Sequence, residues 1–201
     1  MPRPAVEFWF EFASTYSYLS VMRIERVAEA AGVEVAWKPF LLGPVFLALG
    51  WNDSPFNIYP PKGRYMWRDL ERLAMKEGLP FHRPSRFPRN GLLAARVALV
   101  GVEAGWVAPF ARAVMTANFA EDREIGEAAV IEDILHALGL PADEVMARAQ
   151  ADANKLALRC QTERAAELGL FGAPSFRVGE ELFWGNDRLE DALAWACAGA
   201  A

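Results

Sequence analysis

Two serines lie near the start of the chain, where a predicted strand gives way to a helix. Residues 5–12 are mostly apolar and read AVEFWFEF, which predicts a buried strand. Ser14 and Ser17 follow in a segment that opens an amphipathic helix predicted over residues 16–31. A helix N-terminus stabilises negative charge, and cysteines at this spacing would place a thiolate there. Because the chain carries serines instead, the sulfur is predicted to arrive on a ligand, with Ser14 donating a hydrogen bond to it.

A second group of candidate site residues lies far downstream. Pro174 precedes two predicted strands at residues 175–178 and 181–184, and Asn186 and Asp187 follow them at the predicted start of the last helix. Asn and Asp cap helices, which places their polar groups beside the free amides of the first turn. The Gly-Ala-Pro run that ends at Pro174 also suits an ordinary loop before an edge strand. It therefore indicates a site only together with the two serines.

Four motifs, in this order along the chain, resemble the 2-hydroxychromene-2-carboxylate isomerases, a family of the DsbA-like and kappa-class glutathione transferase superfamily. They are FASTYSYL at residues 12–19, KGRYM at 62–66, FGAP at 171–174 and WGNDRL at 184–189. Each motif is weak alone, but together they cover nearly the whole chain. Many relatives have a proline after the active serine, whereas this chain has Thr15, which lacks the pre-set backbone angle of proline.

The resemblance implies an α/β, thioredoxin-like fold with an all-helical insertion domain, as in DsbA. Residues 1–44 and 156–201 are predicted to form the thioredoxin-like domain, and residues 45–155 the helical insertion. A strand at 33–40 follows the first helix, which predicts parallel pairing through a right-handed crossover. Further helices are predicted at residues 62–77, 90–103, 107–119, 125–139 and 141–170 from their apolar periodicity.

The resemblance also implies that glutathione is the cofactor and that Ser14 activates its thiol. The backbone of Ala173, before a cis proline, is then expected to pair with the cysteinyl amide as a short strand would. Asp187 suits the γ-glutamyl ammonium, and Asn186 with free helix amides suits the γ-glutamyl carboxylate. The predicted glutathione-binding residues are Ser14, Asn57, Lys62, Ala173, Pro174, Asn186, Asp187 and Arg188. Asn52 is an alternative to Asn57 at the far end of the tripeptide.

The second substrate implied by the resemblance is a small aromatic carboxylate. Lys38 and Asn52 are its predicted binding residues, and the arginines at positions 83, 86 and 89 are alternatives because arginine binds carboxylates bidentately. A cluster of arginines is also typical of a solvated surface, so Lys38 is preferred. The two histidines, His82 and His136, suggest no Ser-His-Asp arrangement, which leaves acyl transfer poorly supported.

The predicted activity is the glutathione-dependent interconversion of 2-hydroxychromene-2-carboxylate and trans-o-hydroxybenzylidenepyruvate, a reaction of aromatic hydrocarbon catabolism. A kappa-like transferase or peroxidase acting on other electrophiles would use the same residues. A non-catalytic domain that binds a thiol compound is a third reading. A dithiol oxidoreductase is not expected, because neither position 14 nor position 17 holds a cysteine.

The composition of the chain argues against several classes of protein. With 201 residues, 53% of them hydrophobic, the chain can bury the core of one domain or of two closely packed ones. A net charge of −5 without a cationic block argues against nucleic acid as a partner. The apolar runs are too short for a membrane span, and no signal-peptide pattern is present, so a cytoplasmic location is expected. The resemblance implies a homodimer. Cys160 and Cys197 show no metal or redox spacing and are predicted to lie in the core; no metal site is predicted.

Overall fold

The computed structural model, which describes residues 3–199, contains a four-stranded mixed sheet. Its strands are β1 (Ala5–Phe10), β2 (Glu34–Pro39), β3 (Ser175–Val178) and β4 (Glu181–Trp184), in the order β2-β1-β3-β4. β1 and β2 run parallel, whereas β3 pairs antiparallel with both β1 and β4. The parallel β-α-β start predicted from the sequence is confirmed.

The helices surround this sheet and fill the chain between β2 and β3. Within the described residues they are α1 (Thr15–Ala31), α2 (Leu42–Ala48), α3 (Pro55–Ile58), α4 (Pro60–Glu77), α5 (Leu92–Ala104), α6 (Val107–Phe119), α7 (Ala128–Ala137), α8 (Ala142–Gln150), α9 (Asp152–Glu167) and α10 (Leu189–Ala198), with a 3-10 turn at Asn186–Arg188. α1 ends at Gly32, whose φ of 69° lies in the left-handed region that favours glycine. No helix among residues 3–199 is both long and apolar enough to cross a bilayer.

β1 is buried on both of its faces, which explains its nearly continuous apolar sequence. Phe8 and Phe10 lie in the main core, with ring centroids 5.1 Å apart. Trp9 leaves the strand on the opposite face and packs against Phe40, 5.9 Å away, in a smaller cluster. Each buried aromatic side chain contributes about 2–3 kcal/mol through burial. The end of β1, and the segment that follows it, is therefore anchored from both sides.

One hydrophobic core extends across both of the predicted domains. Phe12, just after β1, packs edge-on against Phe110 of α6 with ring centroids 6.1 Å apart. The same core includes Ile24 of α1 and Leu135 of α7. The predicted domain boundaries, at 44/45 and 155/156, fall within α2 and α9. The division into two domains stays a prediction, since the parts share their interior.

The segment 141–170, predicted as one helix, is two helices, and that prediction was wrong. Ala151 adopts an extended backbone, with φ of −62° and ψ of 145°, between α8 and α9. The Nδ2 of Asn154 donates to the carbonyl oxygens of Ala149 and Arg96, both at 3.0 Å. A side chain thus satisfies acceptors at the break, and neither glycine nor proline marks it in the sequence.

Both cysteines are exposed, so their predicted place in the core was wrong. Cys160 lies on α9 and Cys197 on α10, at the outward-facing positions of these two helices. Cysteine behaves as a small hydrophobe and is often buried. Here both cysteines lie on the solvent-facing sides of their helices, and this position determines their exposure.

Replacing Gly63 by alanine is expected to destabilise the junction of α3 and α4. A Cβ at Gly63 would lie 2.2 Å from the carbonyl oxygen of Phe56, a backbone atom that cannot turn aside. We expect a net loss of about 1–3 kcal/mol from this overpacking, which thermal unfolding would report as a Tm lower by roughly 2–4 °C per kcal/mol. Gly43→Ala in α2 is the matched control, since nothing lies within 4 Å of its added Cβ. Equal Tm values for the two variants would contradict the prediction.

Candidate active site

Ser14 lies between β1 and α1, where its hydroxyl makes two hydrogen bonds. Its Oγ accepts from the backbone N–H of Ser17 at 3.3 Å and thereby caps α1. The same hydroxyl donates to the carbonyl oxygen of Ala173 at 2.8 Å. The side chain is half-buried and therefore still reachable. Ser14 is thus positioned at the positive end of a 17-residue helix and against the residue that precedes Pro174.

The Ala173–Pro174 peptide bond is cis, as the resemblance implies. The carbonyl oxygen of Pro174 accepts a hydrogen bond from the N–H of Gly185 at 3.0 Å. Gly172 has no room for a side chain, because a Cβ there would lie 2.3 Å from Nε1 of Trp184. The β3–β4 hairpin and the turn after it therefore hold Ala173 in place.

The turn before α10 depends on a glycine. Gly185 has a φ of 114°, and a Cβ there would lie 2.6 Å from Oδ1 of Asp187. Asp187 is exposed, and its Oδ2 accepts from Arg188 at 3.0 Å. Asn186 is buried, and its Oδ1 accepts from the hydroxyl of Ser20 at 3.0 Å. The sharp turn thus places an amide and a carboxylate side by side at the start of the segment that leads into α10.

These elements surround one cavity of about 1100 Å³. The strand side contributes Ser14, Ala173, Pro174, Asn186 and Asp187, and the helical side contributes Trp51, Asn52, Phe56, Lys62 and Asp69, among others. Ligand pockets typically measure about 300–1,000 Å³ and combine apolar walls with a few polar groups. The cavity has this character and is large enough for two small molecules.

Lys62 and Asn52 reach the cavity from the helical side. Lys62 is exposed in the first turn of α4, and its Nζ lies 5.6 Å from the centroid of the Phe56 ring. Asn52 is exposed in the segment before α3. An ammonium group and an amide therefore share the cavity with the hydroxyl of Ser14.

Lys38, Asn57 and Arg188 do not line this cavity. Lys38 is in register with Trp9 on β1, so its side chain leaves the sheet on the face that α9 covers. The amide of Asn57 donates to both carboxylate oxygens of Asp53 at 3.1 Å. The guanidinium of Arg188 pairs with two aspartates of its own helical segment. The site roles predicted for these three residues find no support in the cavity geometry and stay predictions.

Glu11 is a cavity residue that the sequence reasoning missed. It is 7% exposed, and its Oε2 accepts from the N–H of Ala13 at 3.0 Å. Burial raises the pKa of Glu11 to about 8, although the N–H groups of Ala13 and Ser14 act in the opposite direction. A Cβ at Gly91 would lie 2.7 Å from Oε1, so the glycine leaves room for the carboxyl group. In the sequence, its place between two phenylalanines was the sign that this glutamate is buried.

Two polar pairs complete the cavity wall. The hydroxyl of Tyr16 donates to Oδ2 of Asp69 at 2.9 Å, and burial, followed by this carboxylate, raises the pKa of the phenol. Arg89, one of the three arginines considered for the aromatic carboxylate, lines the cavity but donates to Asn118 and forms an ion pair with Asp122. Its charge is therefore already balanced within the protein.

The fold and the site define the general class of this protein. A thioredoxin-like sheet, a polar residue capping the first helix and a cis proline beside it are combined with a helical insertion. The family described as a DSBA-like thioredoxin domain matches residues 5–194. The α/β fold class expected from the sequence is confirmed.

Similarity to known proteins identifies a narrower group within that class. A 2-hydroxychromene-2-carboxylate isomerase of Pseudomonas putida is 30% identical over 96% of this chain and 95% of its own. A solved structure of a 2-hydroxychromene-2-carboxylate isomerase superposes with a TM-score of 0.85 at 26% identity, covering 98% of this chain and 97% of the other. A kappa 2 glutathione S-transferase of Caenorhabditis elegans is 25% identical over 93% of this chain and 89% of its own. The chain belongs to the 2-hydroxychromene-2-carboxylate isomerase family of enzymes, which confirms the resemblance seen in the four motifs.

Proposed function

We propose that this protein is a glutathione-dependent isomerase that interconverts 2-hydroxychromene-2-carboxylate and trans-o-hydroxybenzylidenepyruvate. The observation that carries the proposal is the contact between the Ser14 hydroxyl and the Ala173 carbonyl, beside cis Pro174 and open to the cavity. A cysteinyl peptide needs a backbone edge for its amide and stabilisation for its thiolate, and both are available here. The isomerase relatives support the substrate, and the kappa-class relative supports the cofactor.

The polar groups of the cavity match the chemistry of glutathione, which has two carboxylates, one ammonium and two amides. Asp187 suits the γ-glutamyl ammonium, while Asn186 and the first amides of α10 suit the γ-glutamyl carboxylate. Lys62 suits the carboxylate at the far end, with Asn52 nearby in the same wall. These residues fit the cofactor, so we assign them to its binding.

Ser14 is proposed to keep the cofactor's sulfur in its thiolate form. In the structure its hydroxyl donates to Ala173. Rotation of the hydroxyl directs this proton to a bound sulfur and leaves the carbonyl of Ala173 to accept from the cysteinyl N–H. A thiol pKa of about 8.5, lowered by one or two units, makes the thiolate a large fraction at neutral pH.

The remaining cavity residues are proposed to hold and orient the aromatic substrate. When bound, glutathione would supply a thiolate able to add reversibly to the conjugated double bond of the ring-opened substrate, which permits rotation about that bond. Trp51 and Phe56 provide flat apolar surfaces for the aryl ring. Holding two reactants in one cavity replaces a bimolecular encounter by a step within one complex, which accelerates it.

Calorimetric titration with glutathione between pH 6 and pH 9 tests the proposal. We expect binding accompanied by proton release below the pKa of the free thiol, because Ser14 and the N-terminus of α1 favour the thiolate. S-Methylglutathione is the matched control, since it has no thiol proton to release. A folded protein that binds neither compound would contradict the assignment of glutathione as cofactor.

A kappa-like transferase is the second candidate, favoured by the kappa-class relative and served by the same residues. Release of a stable glutathione conjugate from an aryl halide, without isomerisation of the chromene carboxylate, would indicate this activity. Glutathione binding without any turnover would indicate a thiol-binding domain. Homodimer formation and a cytoplasmic location stay predictions.

A further inference from the structure

A buried arginine connects α1 with the turn that precedes α10. Arg23 is 9% exposed and forms an ion pair with Glu190. Its Nε donates to Oδ1 of Asn186 at 3.2 Å, and its Nη2 donates to the backbone carbonyl of the same residue at 2.6 Å. One guanidinium therefore holds both the main chain and the side chain of Asn186.

These contacts determine which way the Asn186 amide points. Arginine has only donors, so the atom that faces Arg23 must be the amide oxygen and not the nitrogen. Ser20 adds a second donor to the same oxygen at 3.0 Å. With two donors on its oxygen, the amide has one orientation and its NH2 group points away from both.

The NH2 group of Asn186 is left available to a ligand. Within residues 3–199 it donates to no protein acceptor, and it is not among the buried atoms that lack a partner. Asn186 lines the cavity, its Oδ1 is occupied by two donors, and its NH2 group is therefore the part of the amide left to bind a ligand there.

We propose that Arg23 and Ser20 are positioning residues for the glutathione site, which by holding the Asn186 oxygen direct its NH2 group to the γ-glutamyl carboxylate. This inference rests on the proposed function, because it takes glutathione as the ligand of the cavity. Neither residue lines the cavity, so both act through Asn186. A network that only joined α1 to α10 would require the acceptor atoms of Asn186 but not its NH2 group.

Asn186→Asp separates these two roles. The substituted carboxylate still accepts from Ser20 and Arg23, so we expect the variant to fold with an unchanged or higher Tm. The group that faces the cavity becomes a negatively charged acceptor, and the loss of a charge-assisted hydrogen bond is expected to weaken glutathione binding about 10- to 100-fold. KM for glutathione should rise accordingly, while kcat at saturating glutathione changes little because Ser14 is untouched.

A shortened ligand identifies the carboxylate concerned. The glutathione analogue with 4-aminobutyrate in place of the γ-glutamyl residue lacks that carboxylate, so we expect wild type to bind it more weakly than glutathione and Asn186→Asp to bind both about equally. γ-Glutamylcysteine, which lacks the glycine, is the control and should lose affinity to the same extent in both proteins. Equal discrimination against 4-aminobutyryl-cysteinylglycine by both proteins would overturn the inference.

Variants of the positioning residues complete the test. Arg23→Met and Ser20→Ala each remove one of the two donors to the amide oxygen and so weaken the preference for one orientation, and we expect Kd for glutathione to rise about two- to tenfold as the competent orientation becomes less populated. Glu190→Gln is the matched control, since it removes the charge partner of Arg23 but none of the donors to Asn186, and Kd should change less than twofold. If Arg23→Met does not fold, Ser20→Ala and Asn186→Asp decide. Wild-type affinity in those two variants would overturn the inference, whereas a wild type that binds no glutathione would overturn the proposed function itself.

Discussion

Replacing Ser14 by alanine is expected to lower kcat/KM for glutathione-dependent isomerisation about 10- to 100-fold, the size of one charge-assisted hydrogen bond. The substitution removes the hydroxyl group that we propose donates a hydrogen bond to the sulfur of glutathione. The pKa of the bound thiol should rise by roughly one to two units, which the thiolate absorbance of the complex would report across a pH titration. The rate loss should therefore be largest at low pH and should diminish as the medium itself ionises the thiol.

Ser14→Gly distinguishes this chemistry from the capping of α1. Alanine at an N-cap costs about 1 kcal/mol of stability, whereas glycine costs only a few tenths. We expect both variants to lose the same fraction of activity, although alanine lowers the free energy of unfolding more. Full activity in either folded variant would contradict the role of the hydroxyl, and activity that follows stability would indicate a structural role alone.

The stability of the folded protein is expected to depend on pH through the carboxyl group of Glu11, and replacing Glu11 by glutamine should abolish this dependence. Burial raises the pKa of Glu11 from 4.5 to about 8 in the folded protein. Between these two values the folded state holds a proton that the unfolded state releases, so the free energy of unfolding falls as pH rises through this window. The stabilisation is complete below about pH 4.5 and is lost by about pH 8, and its full size is on the order of 5 kcal/mol.

Urea unfolding of the wild type and of Glu11→Gln, from pH 5.5 to pH 8.5, measures this effect. The neutral amide has no proton to lose, so the variant should keep a nearly constant midpoint and become the more stable protein at the alkaline end. Glu180→Gln in the exposed β3–β4 turn is the control and should follow the wild type. Parallel curves for wild type and Glu11→Gln would show that the carboxyl group is ionised within the fold at neutral pH.

The ionisation of Glu11 also bears on the proposed chemistry. Its carboxyl group lies three residues before Ser14 and lines the same cavity. A second negative charge at this place would disfavour the thiolate. The neutral carboxyl group that burial maintains at pH 7 is therefore compatible with thiolate formation, and Glu11→Gln should keep its activity at alkaline pH better than the wild type.

Features with a local signature were predictable from the sequence. The strand at β1, the helix that ends at Gly32 and the β3–β4 hairpin each carry their own periodicity or turn residues, and all three are present. Ser14, Pro174 and Asp187, which the sequence also singled out, line the cavity, and their binding roles stay predictions. Thr15, which stands where many relatives have proline, is buried, and its hydroxyl contacts the sulfur of Met66 at 3.2 Å. Packing against α4 thus supports the turn without the fixed ring of proline.

The direction of each side chain relative to the cavity was decided only by the tertiary structure. Lys38 has the right charge, but its register with Trp9 places it on the face of the sheet that α9 covers. Glu11 looks like an isolated charge in an apolar strand until α5 closes over it at Gly91. The sequence by itself determined those elements that carry a local signature, such as β1, α1 and the β3–β4 hairpin, because such signatures depend on neighbours along the chain. Which of these residues meet, and which way the Asn186 amide points, depends on contacts between segments more than 100 positions apart.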